Sequence, residues 1–275
     1  MAEPLEPGRL AATFARHRET GRRAFIPYLT AGDPDPDTTV DTMAALAEAG
    51  ADVLELGIPF SDPLADGPTI QAATWRALRR GVTIDSVLAW TRRFAGSSSV
   101  PVVLFSYLNP ILRYGPEAFI RDAADSGAAG LLLTDLPVGE DGDLEATLAG
   151  GALELVRLVA PTTRGPRLAR VLDAAQGFVY YISRTGVTGE TATIRRDLEA
   201  EIKALRTQTD LPIAVGFGIS SPDQARLVAT VADGVVMGSA IVRTLAESGI
   251  TGAAKLASEI RRAIDSAQAP DEKKG

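Results

Sequence analysis

Cysteine is absent from the 275 residues, which excludes disulfides, thiolate nucleophiles and zinc sites that depend on sulfur. Histidine occurs once, as His17, ahead of the first predicted strand and expected on the surface of a helix. A His-rich catalytic metal site therefore cannot be built. Lysine is scarce too. Lys203, Lys255, Lys273 and Lys274 fall in predicted helices or in the tail, none at the end of a strand, which counts against Schiff-base chemistry. Positive charge is in deficit: a net charge of −7 argues against a broad surface for polyanions, while a small phosphorylated ligand stays open. No apolar run reaches the roughly twenty residues of a membrane span. The start, MAEPLEPGRL, is acidic and broken by prolines, unlike a secretory signal. A soluble, cytoplasmic protein is expected.

With 45% hydrophobic and 23% charged residues, the chain can bury one sizeable core, as a barrel or as two modest domains. Its order is more informative. A short helix over Leu5 to Arg16 is followed by AFIPYLTAG, which reads as a strand. In TTVDTMAALAEAG, Val40, Met43, Ala44 and Ala47 take the spacing of one helical face, closed by Gly50. A second apolar run follows, then helical segments at Thr69 to Arg80 and Thr83 to Phe94, with Trp75 and Trp90 expected to pack. Strands are predicted at Val102 to Ser106 and in GLLLTDLP, ELVRLVAP, FVYYISRTG, IAVGFG and GVVMGSA, with helix-sized segments between them, GPEAFIRDAADSG among these. Gly50, Gly127, Gly177 and Gly234 each stand just before such a run. This degenerate βα rhythm predicts a parallel sheet closed by crossover helices. Eight units in a chain of this size favour a (β/α)₈ TIM barrel over an open sheet, and no G-x-G-x-x-G fingerprint follows the first strand. The expectation is a single barrel domain over 1–275, with a helical extension at 1–20 and a frayed tail at 268–275.

The most informative stretch runs from Gly50 to Gln71, GADVLELGIPFSDPLADGPTIQ. Val53, Leu54, Leu56 and Ile58 form a strand apolar on both faces, and Glu55 interrupts it. Alternation places Val53, Glu55 and Gly57 on one face. A carboxylate among such neighbours loses solvation, which raises its pKa toward the range of a proton shuttle. A buried acid paired with an arginine is the competing reading. Asp62 and Asp66 follow in the loop.

In barrels, phosphate groups commonly bind near the loops after strands seven and eight. Gly216-Phe217-Gly218 ends the seventh strand, and Gly238-Ser239 ends the eighth and opens a helix. Glycines admit a close ligand, and free N–H groups at a helix start favour an anion. After the sixth strand, RTGVTGE places Thr188 and Gly189 in an expected lid over 184–194.

LELGIPFSDPLADGPTIQ resembles the signature of the tryptophan synthase alpha chain family. The resemblance extends from FIPYLTAGDPD through GFGISSP to MGSAIV, and weakens over Gly139 to Gly151 and Glu190 to Gln208. It implies the same barrel and a retro-aldol lyase that splits indole-3-glycerol phosphate into indole and glyceraldehyde 3-phosphate. On that substrate, Glu55 would transfer protons at indole C3 and at the side-chain hydroxyl, and Asp66 would accept a hydrogen bond from the ring N–H. By match to the family, Phe25, Phe105, Leu132, Val159 and Phe217 would line the indole slot, and Tyr180 would stand near the acid. Gly189, Gly218, Gly238 and Ser239 would surround the phosphate. No cofactor is implied for this chain. Pyridoxal phosphate would belong to a partner beta chain in an alpha2-beta2 assembly, with contacts at Asp62, Pro63, Asn109, Pro110 and Asp135. The same lyase releasing free indole alone, a barrel reduced to a structural partner, and another phosphosugar enzyme are the alternatives. The presence of both acids disfavours the last two.

Overall fold

The computed structural model describes residues 8–183, 191–216 and 218–267, without the side chains of 191–196. The chain opens with helix α1 (Arg9–Glu19) and strand β1 (Ala24–Thr30), followed by α2 (Thr39–Glu48), β2 (Leu54–Gly57), α3 (Pro68–Arg79) and α4 (Ile84–Ala95). Next come β3 (Val102–Ser106), α5 (Leu108–Tyr114), α6 (Pro116–Asp125), β4 (Gly130–Leu133), α7 (Gly142–Ala149) and β5 (Glu154–Val159). The chain continues through α8 (Gly165–Asp173), β6 (Val179–Ile182), α9 (Thr191–Arg206), β7 (Ile213–Gly216), α10 (Pro222–Ala229), β8 (Gly234–Met237) and α11 (Ser239–Asp265). Every neighbouring pair of strands is parallel, and β8 closes on β1, so the sheet is a barrel in sequence order, β1 to β8. The βα rhythm of the sequence is the fold, with α5 as an additional short helix between β3 and α6 that periodicity alone did not announce.

Closure sorts the side chains into two cores. Outward-facing strand residues such as Leu29, Leu54, Leu56, Leu104 and Val215 pack against helix residues such as Met43, Leu46, Phe94 and Ile260. Inward-facing residues, among them Ile26, Val53, Val103, Leu132, Val156, Phe178 and Val236, fill the barrel. Leu10 and Phe14 of α1 belong to this inner core, and Phe14 meets Phe178 at a ring separation of 5.2 Å, so α1 closes the end of the barrel where strands begin. Its first turn is held by the Glu154 carboxylate, which accepts from the N–H groups of Leu10 (2.6 Å) and Ala11 (3.0 Å). Two otherwise unpaired donors of a helix start are satisfied this way. A Cβ on Gly8, the residue before α1, would overlap that carboxylate and force it to shift.

Two expectations need correction. His17 does lie on α1, but its ring turns inward, with Nε2 2.9 Å from Asp52 Oδ1 and the side chain 12% exposed. Asp52 accepts from Arg261 at 2.7 Å and from the Phe25 N–H at 2.8 Å, so His17 lies against a carboxylate–guanidinium pair beneath the barrel. Trp90 packs against the outer core, whereas Trp75, predicted to pack, is 52% exposed on α3. The buried face of α3 is built from Ala73, Thr74 and Ala77, which leaves no slot for the indole. The tail 268–275 and the first part of the predicted extension, 1–7, lie outside the described residues.

Candidate active site

The mouth of the barrel lies where the strands end. Glu55, midway along β2, points into it: strand alternation sets it on the inner face with Val53 and Gly57, and its residue is 1% exposed. No ion pair reaches Glu55 among the described residues, and its Oε1 is buried without a hydrogen-bond partner. Burial alone pushes the carboxyl up from 4.5 to about 8. The competing sequence reading, an acid neutralised by a structural arginine, therefore does not describe it. Arg76 instead binds Asp33 through Nε and Nη2, at 2.6 and 3.0 Å, and Arg157 pairs with Glu145 at 3.0 Å on the outside of β5.

Asp66 sits on the loop between β2 and α3. Burial pushes its carboxyl up to about 6, opposed by a hydrogen bond from Tyr107. The Tyr107 hydroxyl also accepts from the Ala65 N–H at 2.9 Å, and its ring leans on Phe60 at 5.3 Å. Gln71, in the first turn of α3, donates its side-chain amide to the backbone carbonyls of Asp66 (2.9 Å) and Pro63 (3.4 Å). Two anchors thus hold the loop, one from the residue between β3 and α5 and one from α3. Neither Tyr107 nor Gln71 was singled out from sequence; Gln71 closes the motif stretch, but its reach back to the loop is a tertiary fact.

Two tyrosines flank Glu55. Tyr28 of β1 is its direct neighbour in the ladder, and Tyr180 lies on the inner face of β6. Each phenol leans along its strand into space left by a glycine of the next strand, Tyr28 over Gly57 and Tyr180 over Gly216, where a Cβ would overlap the hydroxyl. Burial raises both phenols well above their usual pKa, with the charge of Glu55 adding to it. Phe105 and Leu132 are partners in the β3–β4 ladder and share the inner face.

Phe25 and Val159 do not belong to this wall. Phe25 is fully buried among the residues between barrel and helices, and so is Val159. The ladder explains both corrections: Tyr28 is level with Glu55, so Phe25, three residues earlier, faces the other way. Leu158 pairs with Tyr180, which turns Leu158 inward and Val159 outward. In β1 and β5 it is Tyr28 and Leu158 that face the inner side. The inward alternation around Glu55, carried across one strand, was the signal that could have found Tyr28.

At the other side of the mouth, Gly218 takes φ +76°, a conformation that favours glycine. Helix α10 is capped by its own side chains, with Ser221 accepting from the Gln224 N–H at 3.4 Å and Gln224 accepting from the Ser220 N–H at 2.7 Å. Helix α11 differs. It opens at Gly238 with no side-chain cap, and Ser239 is exposed. Uncapped N–H groups with a helix dipole behind them favour an anion. A methyl group on Gly238 would lie 3.7 Å from Ile70 Cδ1 and from Tyr28 Cβ, so this end adjoins the tyrosine beside Glu55. Thr188, Gly189 and Phe217, and with them most of the expected lid, lie outside the described residues.

The residues expected at an interface follow three consecutive strands, on one side of the mouth. Asp62, Asn109 and Asp135 are exposed, Pro110 is half-buried and Pro63 is buried. Asp135 is also engaged at the start of α5, accepting from the Leu108 N–H at 2.6 Å. Among the described residues, no helix is long and apolar enough to cross a membrane, and no three His, Asp or Glu side chains cluster as metal ligands.

A family model described as Tryptophan synthase alpha chain matches residues 14–270. The chain is 48% identical over 253 residues to the tryptophan synthase alpha chain of Synechococcus elongatus, covering 92% of this chain and 95% of that one. It is 48% identical over 265 residues to the protein of the same name from Thioalkalivibrio sulfidiphilus, covering 94% and 99%. Among solved structures, tryptophan synthase subunit alpha from Legionella pneumophila superposes with a TM-score of 0.88 at 38% identity, over 94% of this chain and 98% of that one. A chain of tryptophan synthase from M. tuberculosis in its aminoacrylate-bound form gives 0.84 at 37% identity, over 94% and 99%. Matched through nearly its whole length in sequence and in barrel geometry, the chain belongs to the tryptophan synthase alpha chain family, the lyases that cleave indole-3-glycerol phosphate in tryptophan biosynthesis.

Proposed function

We propose that Glu55 and Asp66 divide the work of this cleavage. Glu55, protonated at neutral pH, gives its proton to indole C3, which turns the ring into a leaving group. The bond between C3 and the side-chain carbon breaks, its electron pair returns to the ring, and the hydroxyl on that carbon becomes the aldehyde. Glu55 takes up the hydroxyl proton and ends as it began, so no outside acid or base is consumed. Asp66 accepts a hydrogen bond from the ring N–H and stabilises the positive charge that develops there. Tyr180, Phe105 and Leu132 hold the ring from the inner face. Phe217 completes the indole slot, and Gly218, Gly238 and Ser239, with Thr188 and Gly189, enclose the phosphate end. The observation that carries the reading is the inward-facing, desolvated Glu55 carboxyl with an oxygen left unbonded.

The chain works in the cytoplasm as the alpha subunit beside a beta chain that carries the pyridoxal phosphate, in an alpha2-beta2 assembly. Asp62, Pro63, Asn109, Pro110 and Asp135 lie at the contact. Leu64, 93% exposed on the Asp66 loop, and Leu112, 50% exposed on α5, follow the same two strands as Asp62 and Asn109, and the exposure of such large apolar side chains there supports the reading. The test is to mix the purified chain with indole-3-glycerol phosphate, with and without a beta chain, and measure indole. Cleavage in both arms with a higher rate in the second is expected. No indole in either arm refutes the assignment, and equal rates refute the partnership.

A further inference from the structure

Two phenols stand beside Glu55, and the mechanism above gives a place to only one. Tyr28 is 5% exposed, packed edge-on against Phe105 with ring centres 5.4 Å apart and planes at 78°. Phenylalanine would make the same contact without burying a hydroxyl, and a buried hydroxyl is costly unless it is bonded. Inside the protein, Tyr28 Oη meets Thr30 Oγ1 at 3.3 Å. That is long for a bond between hydroxyls, and each hydroxyl can donate once and accept twice, so bonding capacity remains.

The position of this hydroxyl says what could use that capacity. It fills the hollow over Gly57, two residues beyond Glu55 toward the mouth, while the base of its ring adjoins Gly238 at the start of α11. Both acids act on it: burial and then the charges of Asp66 and Glu55 raise its pKa, so it keeps its proton at neutral pH. The side chain therefore runs from the end of the cavity that favours an anion, at the base of its ring, to the side that holds Glu55, at its hydroxyl. A substrate with an aromatic ring at one end and a phosphate at the other must run its linking chain past this point.

We propose that the Tyr28 hydroxyl, backed by Thr30, is a specificity-determining donor that binds a hydroxyl group on the glycerol chain of the substrate. The inference rests on reading the cavity as the indole-3-glycerol phosphate site, and it assigns recognition of the chain to a residue distinct from the acid that moves protons. A hydrogen-bonding site discriminates against a ligand that lacks the matching group, because its own polar atom is then left unpaired.

The test compares wild type, Tyr28→Phe and Thr30→Val in steady-state cleavage of indole-3-glycerol phosphate. It also compares their binding of 3-(indol-3-yl)propyl phosphate, which has the ring and the phosphate but hydrogens in place of both hydroxyls. In Tyr28→Phe, kcat/KM should fall roughly tenfold, mainly through KM, while the Kd of the analogue stays unchanged. Thr30→Val should lose less in the same direction, again without effect on the analogue. Equal weakening toward both ligands would make Tyr28 a packing residue and overturn the proposal, as would unchanged constants in both variants. If Tyr28→Phe fails to fold, Thr30→Val decides by the same comparison. A wild type that cleaves normally while the variants match it overturns only the role of Tyr28; a wild type that does not cleave overturns the reading of the site as well.

Discussion

Replacing Glu55 by glutamine keeps the shape of the side chain and removes its charge, and the structure sets opposite signs for the effects on activity and on stability. Burial holds the folded carboxyl at about 8 against an ordinary 4.5. Between those values the folded protein holds one proton more than the unfolded chain, so stability falls with rising pH by about 1.4 kcal/mol per unit. The contribution of Glu55 is whole below its unfolded pKa of 4.5 and is lost as pH rises through its folded value of about 8. Glutamine does not titrate. Relative to its level near pH 4.5, the stability of Glu55→Gln over wild type should therefore grow by about 3 kcal/mol at pH 7 and approach about 5 kcal/mol above pH 8. Burying the amide adds a constant offset, which moves the level of this curve and not its slope. Urea unfolding of both proteins at pH 4.5, 6, 7 and 8.5 measures it, and taking the difference at each pH cancels Asp66 and every other group common to both. The same variant should lose at least about 100-fold in turnover. A stability difference that does not change with pH would refute the desolvated carboxyl, and retained turnover would remove Glu55 from the chemistry.

The two acids also shape the pH profile. Activity should rise through about pH 6 as Asp66 ionises and fall through about pH 8 as Glu55 loses its proton, and kcat/KM measured from pH 5 to 9 should show a bell with those limbs. Asp66→Asn should lower kcat by roughly 10²–10³ while leaving the Kd of the hydroxyl-free propyl analogue nearly unchanged; equal losses in both would make Asp66 a binding residue only. Gly216→Ala places a methyl group where the Tyr180 hydroxyl lies, so it should cost roughly 1–3 kcal/mol and lower Tm together with turnover. Unchanged melting and activity would contradict the packing of that phenol over β7.

Much of this protein was legible before folding was considered. The alternation of apolar strands and amphipathic helices gives the barrel, because a parallel strand buried on both faces needs a crossover helix each time. A lone carboxylate within an apolar strand marks Glu55, since desolvation follows from its neighbours whatever the strand packs against. Gly218 and Gly238 at the strand ends raise the expectation of a backbone open to an anion. What sequence alone did not decide is which face of each strand looks inward. Alternation leaves two choices per strand, and in β1 and β5 both faces are apolar, so Phe25 and Tyr28, or Leu158 and Val159, read alike. Only the register between neighbours resolves them: Tyr28 stands level with Glu55 and Leu158 with Tyr180, which sends Phe25 and Val159 into the outer core. The inward turn of His17 and the exposure of Trp75 have the same origin, since a helix displays its residues in every direction and the elements around it determine which of them are covered.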